Sequence, residues 1–132
     1  MKPSLVISNI YELLCLHAED IVYIEADRNY SDIYLTCDEK KKGWCLQIGV
    51  LAKMIEEQLG EEAKSFIRIG RNLIINQNYI RSINLKKHSM ELIDPYGNKY
   101  ETTEGSVASL KKLKELIEEQ CAIKDITVYG TL

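Results

Sequence analysis

Short apolar runs with strand character fill the first 50 positions of the chain. Residues 11–17 alternate in part between the two sides of a strand, and residues 21–24 (IVYI) are β-branched or aromatic but too few for a helix. A similar run follows a polar turn, so residues 20–36 are predicted to form a β-hairpin. The lysine-rich segment 38–43 is predicted to be a solvated loop, with another strand at 44–48.

The period of the apolar pattern changes near position 50. Apolar side chains recur at helical spacing from Leu51 to Leu59 with charged residues opposite them, which predicts an amphipathic helix that ends at Gly60. Strand patterns then return, and the predicted strands are residues 66–69, 73–75, 79–85, 90–93 and 99–103. The residues at 94–98 (DPYGN) are typical of a turn.

A second helix is predicted near the C-terminus. Ser106 is a suitable N-cap, and apolar residues follow it at a period of about 3.6 residues. Residues 126–129 (ITVY) are predicted to be an additional strand or a tail. These patterns predict one mainly β domain over residues 1–132, with an amphipathic helix in mid-chain and a helix near the end.

The composition is that of an ordinary soluble protein. Apolar residues make up 45% and charged residues 28% of the 132 positions, which suits a single hydrophobic core. No apolar run approaches the roughly 20 residues that a membrane-spanning helix needs, so no membrane insertion is expected. The first residues lack the apolar stretch and cleavage site of a secretory signal. We therefore expect a cytoplasmic protein.

Charge is distributed unevenly along the chain. The net charge is −3 and the isoelectric point is about 5.5, values that by themselves argue against a nucleic-acid partner. Residues 64–90, however, contain no acid and six cations, namely Lys64, Arg68, Arg71, Arg81, Lys86 and Lys87. This window carries +6, so the rest of the chain carries −9. The acidic average therefore conceals a basic region.

The four cysteines give no sign of a metal site or a disulfide framework. Cys15, Cys37, Cys45 and Cys121 form no CxxC pair, and only two histidines accompany them. Disulfides need an oxidising compartment, which nothing in the sequence indicates. The thiols are expected to be reduced and mostly buried.

Two blocks of this sequence resemble the LytTR DNA-binding domain. The first is residues 20–35 (DIVYIEADRNYSDIYL) and the second is residues 66–83 (FIRIGRNLIINQNYIRSI), with the amphipathic helix between them and the Ser-led helix after them. The resemblance covers about residues 11–119. It implies an elongated stack of small antiparallel sheets, with loops that enter successive major grooves and bend the DNA. Such domains are typically the output modules of bacterial response regulators.

The segment from Arg68 to Arg81 carries the residue types that DNA binding requires, independently of that resemblance. Cations neutralise phosphates, and Arg and Asn side chains form bidentate hydrogen bonds with base edges. Because Gly70 permits a positive φ, Arg71 and Asn72 are predicted to lie at an exposed turn. Arg71 is the best candidate for a base contact, with Asn72 beside it.

Structural roles compete with DNA contact at several of these positions. An ion pair with Glu25 or another acid explains Arg68 at least as well as a DNA contact does. The side chain of Asn76 is predicted to cap the turn that follows it. Lys86 is an ordinary turn residue and also a candidate phosphate contact. For Arg71 no structural role is evident, which favours a DNA contact.

The resemblance implies DNA contacts in two further loops. Arg28, Asn29 and Ser31 lie in or beside the loop of the first hairpin, where the family places a DNA-contacting loop. The family also offers Ser followed by arginine before its last helix, whereas this chain has no cation between Ser106 and Lys111. That contact is therefore predicted to be lost, or to be taken over by lysines one turn later, of which Lys111 is the first. A lysine lacks the planar fork of arginine.

Double-stranded DNA is the expected partner, with a homodimer on direct repeats as a further expectation, and no cofactor or metal is expected. Only about ten residues precede the first predicted strand, so no receiver domain is expected. Control would then come from a separate sensor or regulatory protein, or from the expression level. Residues 121–132 form a C-terminal extension outside the resemblance, which could add to a sheet edge or pair with a second copy.

The sequence therefore predicts a sequence-specific DNA-binding transcriptional regulator. The alternative is a LytTR-like domain that has lost DNA binding and acts in protein interaction or dimerisation. The acidic isoelectric point and the missing loop arginine favour that alternative. No GxSxG, P-loop, HExxH or dinucleotide-binding fingerprint is present, so enzymatic activity is not expected.

Overall fold

The computed structural model describes residues 3–103 and 106–121. Within these residues the strands are β1 (Leu5–Ser8), β2 (Leu13–Leu16), β3 (Ile21–Asp27), β4 (Tyr30–Leu35), β5 (Lys40–Trp44), β6 (Phe66–Ile69), β7 (Leu73–Asn76), β8 (Ile80–Asn84), β9 (Ser89–Ile93) and β10 (Lys99–Thr102). The helices are α1 (Ile48–Leu59) and α2 (Val107–Gln120). The strand predicted at 126–129 lies outside the described residues.

These strands form three antiparallel sheets. β1 pairs with β2, the order β5-β4-β3-β7-β6 makes the central sheet, and β10-β9-β8 makes the third. In the central sheet, Ile24 of β3 pairs with Ile33 of β4 on one side and with Ile74 of β7 on the other. The predicted mainly β fold, with small antiparallel sheets and two helices, is confirmed.

Hydrophobic side chains cover both faces of the central sheet. On one face, Ile24 and Ile74 pack with α1 and with the two-stranded sheet. On the other face, Tyr23 and Ile75 pack with the three-stranded sheet and α2. Because neither face is open to water, residues 21–24 are all buried, and this strand lacks the alternation of a one-sided sheet.

The lysine-rich segment is a strand, so the prediction of a solvated loop there is wrong. β5 is an edge strand of the central sheet, and lysines are common at such edges because they keep other chains from pairing there. Lys41 forms an ion pair with Glu12, with 3.3 Å between Nζ and Oε2. The strand predicted at 44–48 is also misplaced, because β5 ends at Trp44 and α1 begins at Ile48.

The N-terminal strand β1 has no counterpart among the predicted elements. Leu5 and Ile7 are almost completely buried in the core beside α1. The side chain of Gln58 holds the outer edge of β1, since its Oε1 accepts from the Val6 amide at 2.7 Å and its Nε2 donates to the Val6 carbonyl at 3.3 Å.

The prediction of buried cysteines is wrong. Cys15, Cys37, Cys45 and Cys121 are all exposed, and none forms a disulfide. Cys15 shows the reason, since it pairs with Val6 on the outer face of the two-stranded sheet, whereas their neighbours Leu5 and Leu16 turn inward. Cys37, Cys45 and Cys121 lie outside the strands, after β4, between β5 and α1, and at the end of α2.

The predicted ends of the helices and the turn at Asn76 are confirmed. Gly60 ends α1 with a φ of 57°, which favours glycine. The Ser106 hydroxyl accepts from the Ser109 amide at 3.1 Å at the start of α2. Asn76 accepts from the Asn78 amide at 3.0 Å, as expected for a side chain that caps a turn.

Candidate nucleic-acid interface

Two turns lie side by side at one end of the central sheet. Asp27 pairs with Tyr30, so Arg28 and Asn29 form a two-residue turn between β3 and β4. The Ala26 amide donates to the Asn72 carbonyl at 2.8 Å. This bond places the turn at residues 70–72, between β6 and β7, directly beside the first hairpin.

The first turns of both helices join the same end of the sheet. Gln47, the N-cap of α1, donates from Nε2 to Asn29 Oδ1 at 3.1 Å. At α2, Ser106 and residues 69–72 line an open cavity of about 420 Å³. We call the surface formed by residues 27–30, 47–50, 70–72 and 106–109 the tip surface.

The turn at Arg28 carries backbone strain. Its φ is 61°, at the first position of a two-residue hairpin turn where glycine is the usual residue. A non-glycine residue in this region costs of order 1 kcal/mol. Arg28 and Asn29 are both exposed, so this turn presents a cation and an amide to solvent at some cost in stability.

Arg71 and Asn72 lie at an exposed turn beside that hairpin. Gly70, which precedes them, has a φ of 60° and lies against the start of α2. A Cβ built at this glycine would be 3.6 Å from Ser109 Oγ. Within the described residues the Arg71 guanidinium forms no ion pair and is exposed.

Arg68 lies on the edge strand β6, next to the first turn of α1. A Cβ built at Gly49 would be 3.6 Å from its Nη1 atom and 3.8 Å from its Nη2 atom. Within residues 3–103 and 106–121 it forms no ion pair. The structural alternative, a pair with Glu25 or another acid, is therefore not formed with any acid among these residues.

Ser31 cannot reach a ligand from its position in β4. Its side chain is completely buried, and its hydroxyl donates to the Leu46 carbonyl at 2.6 Å. The expectation that Ser31 contacts DNA is therefore not compatible with its burial. Strand alternation turns it inward beside the turn, where it ties the hairpin to the segment that leads into α1.

The two candidate lysines occupy different elements. Lys86 is exposed in the turn between β8 and β9, which the Asn84 side chain shapes by accepting from the Lys87 amide at 2.9 Å. Lys111 is exposed in the second turn of α2. The next residue, Lys112, lines an open groove with Arg68, Gly70 and Ser109. Lys112 therefore extends the basic surface beside the tip surface.

Residues 64–90, the segment without acids, do not form a uniformly basic surface in the folded chain. Lys64 forms an ion pair with Glu61 at 2.8 Å, and Arg81 forms one with Glu91 at 3.4 Å. In the part of the chain that the structure describes, the window's cations without an ion pair are Arg68, Arg71, Lys86 and Lys87. Two of these belong to the β6–β7 hairpin.

The opposite end of the central sheet holds a buried polar cluster. The Asp94 carboxylate accepts from the amides of Cys37 (2.8 Å), Tyr96 (2.9 Å) and Asn98 (2.9 Å), and from the Tyr100 hydroxyl (3.1 Å). The Tyr100 hydroxyl in turn donates to the Leu35 carbonyl at 2.7 Å. We call Asp94, Tyr100 and their partners the Asp94 cluster.

Hydrogen bonds and burial set the pKa values of Asp94 and Tyr100. Burial would raise the pKa of Asp94, but hydrogen bonds from the Asn98 and Cys37 amides lower it to about 2. Burial is the main cause that raises the pKa of Tyr100 to about 12. Asp94 is therefore an anion and Tyr100 a neutral phenol at neutral pH.

Neither a membrane span nor a metal site is found in the described residues. No helix among residues 3–103 and 106–121 is long and apolar enough to cross a membrane. The same residues contain no group of three or more His, Cys, Asp or Glu side chains that could hold a metal ion.

Residues 11–118 match the family model of the LytTr DNA-binding domain. A solved structure is also similar, the LytTr DNA-binding domain of a protein described as a methyl-accepting/DNA response regulator from Bacillus cereus, with a TM-score of 0.58. The two chains are 17% identical, and the alignment covers 89% of this chain and 98% of that chain. At this identity the likeness shows a shared fold. No curated protein matches the chain.

Proposed function

The chain belongs to the LytTR DNA-binding domain family, and from this premise we propose that it is a sequence-specific DNA-binding regulator of transcription. Its tip surface enters the major groove of double-stranded DNA. Such a regulator acts where the chromosome is, which in a bacterial cell is the cytoplasm. Its activity follows a separate sensor or regulatory protein or its own expression level.

The observation that carries this proposal is the composition of the tip surface. Arg28, Asn29, Arg71 and Asn72 come from two adjacent turns, and all four side chains are exposed. Arginine and asparagine are the side chains best suited to bidentate contacts with guanine and adenine.

The contacts divide into two kinds. Arg71 is assigned a base edge, because it lies at the apex of its turn and forms no ion pair with any described residue. Arg68, Lys86 and Lys111 are assigned phosphates, which require charge but no planar fork. Asn72 and Arg28 flank Arg71 and complete the surface that faces the groove.

Fluorescence anisotropy with a labelled random-sequence duplex pool tests the proposal. The three phosphate contacts assigned above lower affinity by roughly fortyfold between 50 and 200 mM salt, and five or six would lower it on the order of a thousandfold. Selection from the pool then yields a preferred sequence. Lys99→Ala is the matched control, because Lys99 is an exposed cation on β10, outside the tip surface. Its removal is expected to leave the selected sequence and the salt dependence unchanged.

A second candidate function is a protein-interaction module, and the two-stranded sheet favours it. In the loop between β1 and β2, Ile10 and Tyr11 are 88% and 89% exposed. Val6 and Leu13 extend this apolar surface onto the strands. Absence of DNA binding at 50 mM salt, with the protein at tens of micromolar, would favour this function over the first.

A homodimer on direct repeats would instead appear as two protein copies on each selected duplex.

A further inference from the structure

One hydrogen bond on the tip surface joins two exposed amides that are 18 positions apart. Gln47 donates from Nε2 to Asn29 Oδ1 at 3.1 Å. Gln47 is the N-cap of α1, yet its side chain makes no capping hydrogen bond to its own helix. Side chains at this position normally satisfy the free amides of the first turn. Here the side chain is directed to the hairpin instead.

We propose that Gln47 is a positioning residue that sets the polarity with which Asn29 meets DNA, an inference that rests on the proposed function. An unrestrained Asn amide can turn by 180° and present either its oxygen or its NH₂ group. The bond from Gln47 directs the oxygen of Asn29 toward α1. Both Nδ2 hydrogens then face outward, where they can donate.

This polarity carries a sequence preference. The major-groove edges of guanine and thymine offer acceptors, namely G N7, G O6 and T O4. The bidentate pairing of Asn with adenine needs the amide oxygen as well as the NH₂ group. The Asn29 oxygen can accept a second hydrogen bond, but its bond to Gln47 turns it toward α1 and away from the bases. Asn29 therefore favours guanine or thymine at the position that it contacts.

The backbone around Gln47 is held firmly enough for this role. Ser31 and Trp44 pair across β4 and β5, and the buried Ser31 hydroxyl donates to the Leu46 carbonyl at 2.6 Å. The Leu46 amide donates to the Trp44 carbonyl at 2.9 Å. The segment before Gln47 is therefore fixed to the hairpin that carries Asn29. This constrains the distance between Gln47 and Asn29.

Two substitutions at Gln47 test the inference, with binding sites selected from a random duplex pool by each variant. Asn29→Ala first identifies the base pair that Asn29 contacts, as the position at which selection is lost. Gln47→Met keeps the length of the side chain but cannot donate. It is expected to reduce the preference at that position by roughly threefold to tenfold, the range that one net hydrogen bond supplies.

Gln47→Glu gives the sharper result. Its carboxylate accepts from Asn29 Nδ2, so the oxygen of Asn29 turns outward and the preference moves toward bases that donate, cytosine or adenine. Val50→Glu is the matched control, because it adds the same charge at an exposed site in the first turn of α1. It is expected to weaken binding to all sequences without moving the preference. Equal thermal unfolding temperatures show that the variants are folded.

The outcomes separate this inference from the proposed function. If the wild type selects no sequence from the pool, the proposed function fails and this inference fails with it. If the wild type selects a sequence but both Gln47 variants keep the wild-type preference at every position, Gln47 does not set the polarity of Asn29 and the proposed function stands. If Asn29→Ala keeps the wild-type selection at every position, Asn29 contacts no base, and the inference is overturned in the same way.

Discussion

The tip surface and the Asp94 cluster lie at opposite ends of the central sheet. Charged side chains are exposed at the tip surface, whereas at the Asp94 cluster the charged side chain is buried and hydrogen-bonded. In the Asp94 cluster, one buried carboxylate accepts from three backbone amides and a phenol. On the tip surface, Arg28 and Arg71 are exposed and form no ion pair within the described residues. Both ends also contain non-glycine residues with a positive φ, Arg28 at one and Cys37 and Asp38 at the other.

The difference lies in what compensates the strain. At the Asp94 cluster, the strained amides of Cys37 and Asp38 donate to Asp94 Oδ2 at 2.8 Å and to the Tyr100 hydroxyl at 2.9 Å. The hydrogen bonds that hold this turn come from the third sheet. At Arg28 no comparable contact exists within the described residues. Backbone strain that no internal hydrogen bond compensates lowers stability. A role in ligand binding therefore explains it better than a structural role.

The largest expected effect is on stability and comes from Asp94→Ala. The substitution leaves the amides of Cys37, Tyr96 and Asn98 without their acceptor, while the Tyr100 hydroxyl keeps the Leu35 carbonyl. We expect it to lower the free energy of unfolding by about 3–5 kcal/mol, measured by urea denaturation. Asp27→Ala removes the same group from the exposed hairpin end and is expected to change stability by less than about 0.5 kcal/mol. Equal losses in the two variants would contradict the comparison.

The pH dependence of unfolding checks the same assignment. The pKa of Asp94 is lowered from 3.8 to about 2 in the folded chain. Its contribution to stability is therefore present above pH 4 and is lost as the pH falls from about 4 through 2. The Asp94→Ala variant should lack this part of the acid transition. The pKa of Tyr100 is raised to about 12, so its contribution is lost as the pH rises from about 10 through 12.

The next effect is on specific DNA binding and comes from Arg71→Ala. We expect it to weaken binding to the selected site by about 1–3 kcal/mol and to relax the preference at one base pair. Stability should change little, because this guanidinium is exposed and has no ion pair in the part of the chain that the structure describes. The measurement is a set of anisotropy titrations against the selected duplex and its single-base variants. Arg81→Ala is the control, since Arg81 pairs with Glu91 on the third sheet. An equal loss on all sequences would remove the base contact assigned to Arg71.

The smallest effect is expected for Lys86→Ala. A lysine that meets only phosphate contributes nearly equally on every sequence. We expect uniform weakening, and a decrease of about one in the slope of log affinity against log salt. Salt titrations on the selected and on a scrambled duplex provide the measurement. Lys64→Ala serves as its control because Lys64 already pairs with Glu61, and its slope should equal that of the wild type. A sequence-dependent loss for Lys86→Ala would place this lysine at a base.

Local patterns were sufficient for most of the fold. α1 follows from apolar residues at helical spacing, and the hairpin of β3 and β4 follows from two β-branched runs around a polar turn. β5 could not be predicted in this way, because its lysines have the composition of a loop. Its strand conformation comes from pairing with β4, which is a tertiary interaction. β1 was missed; its residues Leu5 and Ile7 are buried by packing with α1, β2 and the central sheet, which are tertiary contacts.

The candidate site was predictable only in part. Arg71 and Asn72 follow a glycine in a basic window, and that local pattern predicts an exposed turn. Ser31 lies only two residues from the exposed Asn29, but β4 turns its side chain inward. No local sequence pattern indicated a role for Gln47, because its partner Asn29 lies 18 positions earlier in the chain.

The sequence by itself determined the family, the order of most strands and helices, and the basic character of residues 64–90, because these depend on residue type and on spacing within a single segment. The tertiary structure alone decided which side chains meet. It paired Arg81 with Glu91 across β8 and β9, left Arg68 and Arg71 without an ion pair among the described residues, and brought Gln47 to Asn29. Pairing between strands and packing of helices depend on contacts between distant segments, so the composition of a surface is known only when the chain has folded.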